Sequence, residues 1–101
     1  MPRQQTRVPY LAAITLEFSS GKREARISDL SVGGCYVDSI AAVTEGEAVV
    51  FDLALPGEEP LHLAGTVAYV FEGNGFGVKF AELSQSDTTR ILILIKESRG
   101  L

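Results

Sequence analysis

Arg3 and Arg7 stand four residues apart near the start of the chain, and Asp29, Ser31 and Gly34 fall together in the stretch 29–34. These residue types suit binding chemistry. Guanidinium is planar and always charged, and it can stack on a base or fork onto phosphate or the O6/N7 edge of guanine. A carboxylate accepts from guanine N–H groups, and a hydroxyl both donates and accepts. Glycine lets a ligand approach the backbone closely. The set matches an anionic ligand that also carries guanine. No nucleophile–base pair, Gly-rich phosphate loop or pair of carboxylates stands at a recognisable catalytic spacing. His62, on the outward parity of its segment, has no Cys or carboxylate cluster at metal-ligand spacing, so it reads as a surface residue. The chain is therefore expected to bind, with no catalysis, metal or cofactor.

The same residues carry plainer readings. Two arginines near a terminus also describe a solvated basic tail. Asp29 and Ser31 are types that bond nearby backbone and shape turns, with Gly33 and Gly34 supplying positive φ. The readings are compatible, because a well-made turn is what positions a ligand contact.

The elements that must hold these residues are legible from periodicity. Pro2 and Pro9 bracket residues 1–9, which are expected to form an N-terminal ligand-binding arm. Tyr10, Ala12, Ile14, Leu16 and Phe18 alternate as a first strand. Residues 23–28 read as a second strand, 29–34 as a turn, and 35–39 as a third strand. Val49, Phe51, Leu53 and Leu55 mark a fourth. Leu61, Leu63, Val67, Tyr69 and Phe71 form the odd face of a fifth, which makes Tyr69, like Tyr36, a candidate for barrel packing. Phe76, Val78 and Phe80 follow a hairpin turn as a sixth. Ser84 to Asp87 has the form of a capping box with aspartate in place of glutamate, and it opens a helix over 85–98. The fold class is mainly β: a six-stranded antiparallel β-barrel with a C-terminal α-helix, residues 10–101 forming a single domain.

Composition narrows the function. At 101 residues the chain has room for one modest core. Its formal net charge of −4 disfavours nucleic acid and anionic membrane as partners. That charge is uneven. Residues 1–26 hold five basic groups against two acids, and the remainder holds four against eleven. A small dianion is drawn to the basic end while long polyanions are repelled. No apolar run approaches the length of a spanning helix, no secretory signal is visible, and Cys35 is alone. These features predict a cytoplasmic protein without membrane insertion.

Arg3-Gln4-Gln5-Thr6-Arg7 and Asp29-Leu30-Ser31-Val32-Gly33-Gly34 resemble the two signatures of the PilZ domain, RxxxR and [D/N]xSxxG, in the family's order. The segment 75–80 also looks like the family's last barrel strand, and the resemblance runs over nearly the whole chain. It implies a bacterial receptor module for the second messenger cyclic di-GMP. Arg3 and Arg7 would be the arm's clamps, Asp29 and Ser31 the guanine or phosphate contacts, and Gly34 the point of backbone clearance. An arginine just before the first one is linked in the family to a stacked ligand dimer. Pro2 in that place implies one ligand molecule per protein. With no output domain on the chain, a downstream protein partner is implied. The alternative is a PilZ-like adaptor that keeps the barrel without the ligand and serves type IV pilus or motility assembly by protein interaction.

Overall fold

Six strands and one helix account for most of the computed structural model, which describes residues 7–18, 21–55 and 57–99. The strands are β1 (Val8–Phe18), β2 (Gly21–Ser31), β3 (Gly34–Asp38), β4 (Ala48–Leu55), β5 (Glu58–Phe71) and β6 (Gly75–Phe80), and the helix is α1 (Gln85–Arg99). The strands close into an antiparallel barrel in the order β1-β2-β3-β6-β5-β4. The closure is uneven. Among the described residues β4 and β5 share a long ladder, whereas β1 meets β4 at the single pair Glu17–Val50.

Alternation does what the pleat requires: every second side chain enters the barrel. Val49, Phe51, Leu53 and Leu55 of β4 are buried, and their even-numbered neighbours are exposed. Leu16, Ile27, Leu30, Val37, Leu61, Leu63 and Phe76 complete the centre of the core. Helix α1 begins where Ser84 Oγ accepts from the backbone N–H of Asp87 at 3.0 Å, the N-cap half of the expected box. Ile91 and Ile95, one turn apart, are buried and plug the barrel against β1 and β2. Ser98 Oγ donates to the carbonyl of Pro9 at 3.1 Å and ties the end of α1 to β1. The run 91–95 does not pack on all sides: Leu92 and Ile93 face solvent.

Of the four register shifts in these ladders, one lies between Leu53 and Leu55 of β4, and the other three bear on the site. In the β1–β2 ladder one falls between Pro9 and Ala12. In β2 the pairing steps from Ile27–Val37 to Asp29–Tyr36, so Ser28 is an extra residue. In β5 it steps from Val67–Val78 to Tyr69–Gly77, so Ala68 is extra. An extra residue on one strand exchanges the inward and outward faces beyond it.

Three expectations are corrected by this architecture. The arm does not extend to residue 9, because β1 begins at Val8, which is 3% exposed and belongs to the core. Residues 29–31 lie on β2 rather than in a turn, leaving Val32 and Gly33 as the link to β3. Tyr69 and Phe71 share the odd parity of Leu61 and Leu63 but face outward, because the shift after Val67 turns them over. Arg3 and the rest of segment 1–6 lie outside the described residues.

Candidate functional site

The shift in β2 decides the site. Without Ser28 as an extra residue, Asp29 would share the inward face of Ile27, and a carboxylate would enter the core at a cost of several kcal/mol. With it, Leu30 turns in and Asp29 turns out. The ladders then line up one row across four strands: Asp29 on β2, Tyr36 on β3, Gly77 on β6 and Tyr69 on β5. Gly77 is required here by packing. A Cβ built on it would overlap the Tyr69 ring.

Arg7 and Asp29, one from each sequence motif, meet at the end of this row. Arg7 Nη1 lies 2.5 Å from Asp29 Oδ1. The same Oδ1 accepts the backbone N–H of Tyr36 at 3.1 Å. Beside the pair opens a cleft of about 440 Å³ lined by Arg7, Gly33, Gly34, Tyr69 and Lys79, among others. That size is within the range of small-molecule sites. Two cations and an aromatic ring on the walls offer phosphate contacts and a stacking face.

Ser31 and Gly34 serve the frame of this cleft. Ser31 is 1% exposed, and its Oγ donates to the carbonyl of Gly34 at 3.2 Å across the turn. Gly34 is buried opposite Lys79, and a Cβ there would overlap the carbonyl oxygen of Val78. Its missing side chain lets β3 approach β6, and it has no positive φ, nor does Gly33. The structure thus brings Arg7, Asp29 and Gly34 to one place and sets Ser31 beneath them.

Tyr69 and Lys79 escaped sequence reasoning. The signal for Tyr69 was present in Gly77, since a glycine in a strand interior accommodates a bulky neighbour. Tyr36, Tyr69 and Phe71 form a cluster on this face with ring centroids 5.7–6.3 Å apart. Phe71 is 59% exposed, so this surface carries more open aromatic area than the sequence suggested. Burial, then the Asp38 carboxylate, raises the Tyr36 phenol above its ordinary range. Beneath the row, burial pushes the Cys35 thiol up to about 12; Asp29 adds to this and Arg7 opposes it.

A second, larger cleft of about 740 Å³ lies over the β1–β4 seam, with Ala13, Thr15, Asp52, Ala54 and His62 among its lining. His62 Nδ1 is 2.5 Å from Asp52 Oδ1, and both side chains are well exposed. Among the described residues no group of three or more His, Cys, Asp or Glu could hold a metal ion. None of their helices is long and apolar enough to cross a membrane.

The comparisons with known proteins agree with this fold. The PilZ domain family model matches residues 2–97, so the chain belongs to the PilZ domain family. Among solved structures it resembles the PilZ domain of Escherichia coli YcgR with c-di-GMP, at a TM-score of 0.78 and 14% identity, covering 98% of this chain and 92% of that one. Full YcgR from E. coli, in complex with c-di-GMP, aligns at a TM-score of 0.82 and 15% identity over 96% of this chain and 46% of that one. The Bacillus subtilis inhibitor of motility MotI/DgrA aligns at 0.77 and 17% identity, covering 93% and 49%. The chain thus spans about half the length of these two proteins. No curated protein matches it by sequence.

Proposed function

We propose that this chain is a cyclic di-GMP receptor module and that it signals to a partner protein. The observation that carries the reading is the meeting of the two motifs: Arg7 sits on Asp29 at the mouth of a cleft walled by Gly33, Gly34, Tyr69 and Lys79. The family membership and the c-di-GMP-bound YcgR neighbours support the choice of ligand. Arg7 and Lys79 take the phosphates, Tyr69 flanks a guanine, and Asp29 joins the site beside Arg7. Ser31 and Gly34 hold the turn that forms the wall. Arg3, four residues before Arg7, closes over the ligand, and segment 1–6 becomes ordered with it. The partner reads the surface so formed. The role is binding and relay, without catalysis, metal or cofactor, in the cytoplasm.

Calorimetric titration tests the ligand. Cyclic di-GMP should bind, with GMP, GTP and cyclic AMP far weaker, because only the dinucleotide offers two guanines and two phosphates. Equal affinity for GTP, or no heat with cyclic di-GMP at high concentration, overturns the proposal. Amide relaxation over residues 3–8, with and without ligand, tests the arm. An arm equally ordered in both states overturns the ordering step alone.

A further inference from the structure

Arg7 is held before any ligand is present. One atom, Asp29 Oδ1, receives both Arg7 Nη1 at 2.5 Å and the Tyr36 N–H at 3.1 Å. The first bond fixes the guanidinium. The second fixes the carboxylate to β3, whose next residue, Val37, is fully buried. Further support lies one residue along the chain, where Val8 is 3% exposed in the core. The arginine is thus pinned at its backbone by Val8 and at its tip by a carboxylate that is itself tied to the sheet. It remains 45% exposed, so its other N–H groups are open to a ligand.

We propose that Asp29 is a positioning residue that acts on the ligand through Arg7, keeping the guanidinium in its binding orientation before and during binding. This rests on the reading of the cleft as a phosphate-bearing ligand's site. Immobilising a long side chain normally counts against affinity, and a side chain already fixed escapes that cost. A carboxylate beside an arginine also lowers the local positive field, which by itself weakens phosphate binding. Positioning wins over field because Asp29 and Arg7 are both partly exposed, where solvent and salt screen the field. The restraint keeps the short-range part of the same contact, the hydrogen bond from Arg7 to Asp29 Oδ1, and it adds the backbone anchor at Val8.

A double-mutant cycle tests the proposal. Calorimetry with cyclic di-GMP is run on the wild type, Asp29→Asn, Arg7→Ala and the double variant. Asparagine keeps an oxygen to accept the Tyr36 N–H, so β2–β3 pairing survives, and an unchanged Tyr36 amide resonance verifies it. Asp29→Asn should weaken binding roughly three- to tenfold while Arg7 is present, and not at all in the Arg7→Ala background. Equal losses in both backgrounds make Asp29 an independent ligand contact and overturn the proposal. So does tighter binding in Asp29→Asn, which makes the field dominant. A second readout needs no ligand. In the free wild type the Arg7 Nε–H resonance should be shifted and its guanidinium rotation slow, and both effects should weaken in Asp29→Asn, whose neutral oxygen still accepts from Arg7 but without charge assistance. A freely rotating Arg7 in the wild type overturns the positioning role. Failure of cyclic di-GMP to bind the wild type, with Arg7 still restrained, condemns the ligand assignment and leaves the restraint standing.

Discussion

Two clefts open on the outside of this barrel, and the smaller one carries the motif residues. The larger, about 740 Å³, lies over the β1–β4 seam, where the described residues form a single ladder pair. Its walls mix small side chains such as Ala13 and Ala54 with charged ones such as Glu17, Lys22 and Glu24, and its Asp52–His62 pair is solvent-exposed. The smaller, about 440 Å³, lies over the β3–β6 and β6–β5 ladders, beside the bulge at Ala68. There three polar groups are anchored: Asp29 to Tyr36, Arg7 to Asp29, Ser31 to Gly34. The contrast teaches that a void left by poor strand closure differs from a cleft built by bulges, glycines and anchored charges. Support beneath the polar groups identifies a site better than volume does.

Four substitutions sharpen or break this comparison. The largest effect is expected from Gly34→Ala, because the new methyl meets a backbone carbonyl that cannot turn aside. A loss of about 3 kcal/mol or more is expected in denaturant unfolding. Normal stability would mean that β3 and β6 can part freely and that the smaller cleft is not rigid. Arg7→Ala comes next. It should leave the barrel folded and lower cyclic di-GMP affinity by roughly ten- to a hundredfold, the worth of one charge-assisted bond. Unchanged affinity by calorimetry would move the ligand elsewhere, the seam cleft included. Ser31→Ala removes a buried hydroxyl and should cost about 1–2 kcal/mol of stability. Its affinity should fall less than that of Arg7→Ala, and the reverse order would make Ser31 a direct ligand contact. The smallest effect is expected from His62→Ala in the seam cleft. Stability should stay within about 0.5 kcal/mol, and ligand affinity should not change. A loss of affinity there would dissolve the distinction between the clefts.

Strand identity was readable because alternation is a local signal. Val49, Phe51, Leu53 and Leu55 announce β4 with no help from the rest of the chain, and the structure buries all four. The Ser84 cap was equally local. What could not be read was parity across a bulge. Nothing in Glu24 to Leu30 marks Ser28 as the extra residue, and nothing in Leu61 to Phe71 marks Ala68, since a bulge is fixed by the partner strand's register. Both misplacements follow from that: Asp29 was assigned to a turn and Tyr69 to the interior. The motif residues Arg7, Asp29, Ser31 and Gly34 were legible as a set, but their division of labour was not. That Ser31 and Gly34 build the wall depends on the carbonyls of Gly34 and Val78, which belong to strands brought together only by the fold.

Cys35 has a practical consequence. It is the only cysteine in the chain, and it lies fully buried between Leu30 of β2 and Val78 of β6. With its thiol pushed up to about 12, it is a poor nucleophile in the folded state. A thiol reagent can reach it only after these strands separate, when it reacts as an ordinary exposed cysteine. When closing is fast relative to reaction, the labelling rate measures how often the sheet beneath the cleft opens. A ligand that binds only the closed barrel should slow labelling about a hundredfold at a hundredfold excess over its dissociation constant. The native sequence therefore carries its own clock for occupancy of the neighbouring cleft, with no dye, tag or substitution added.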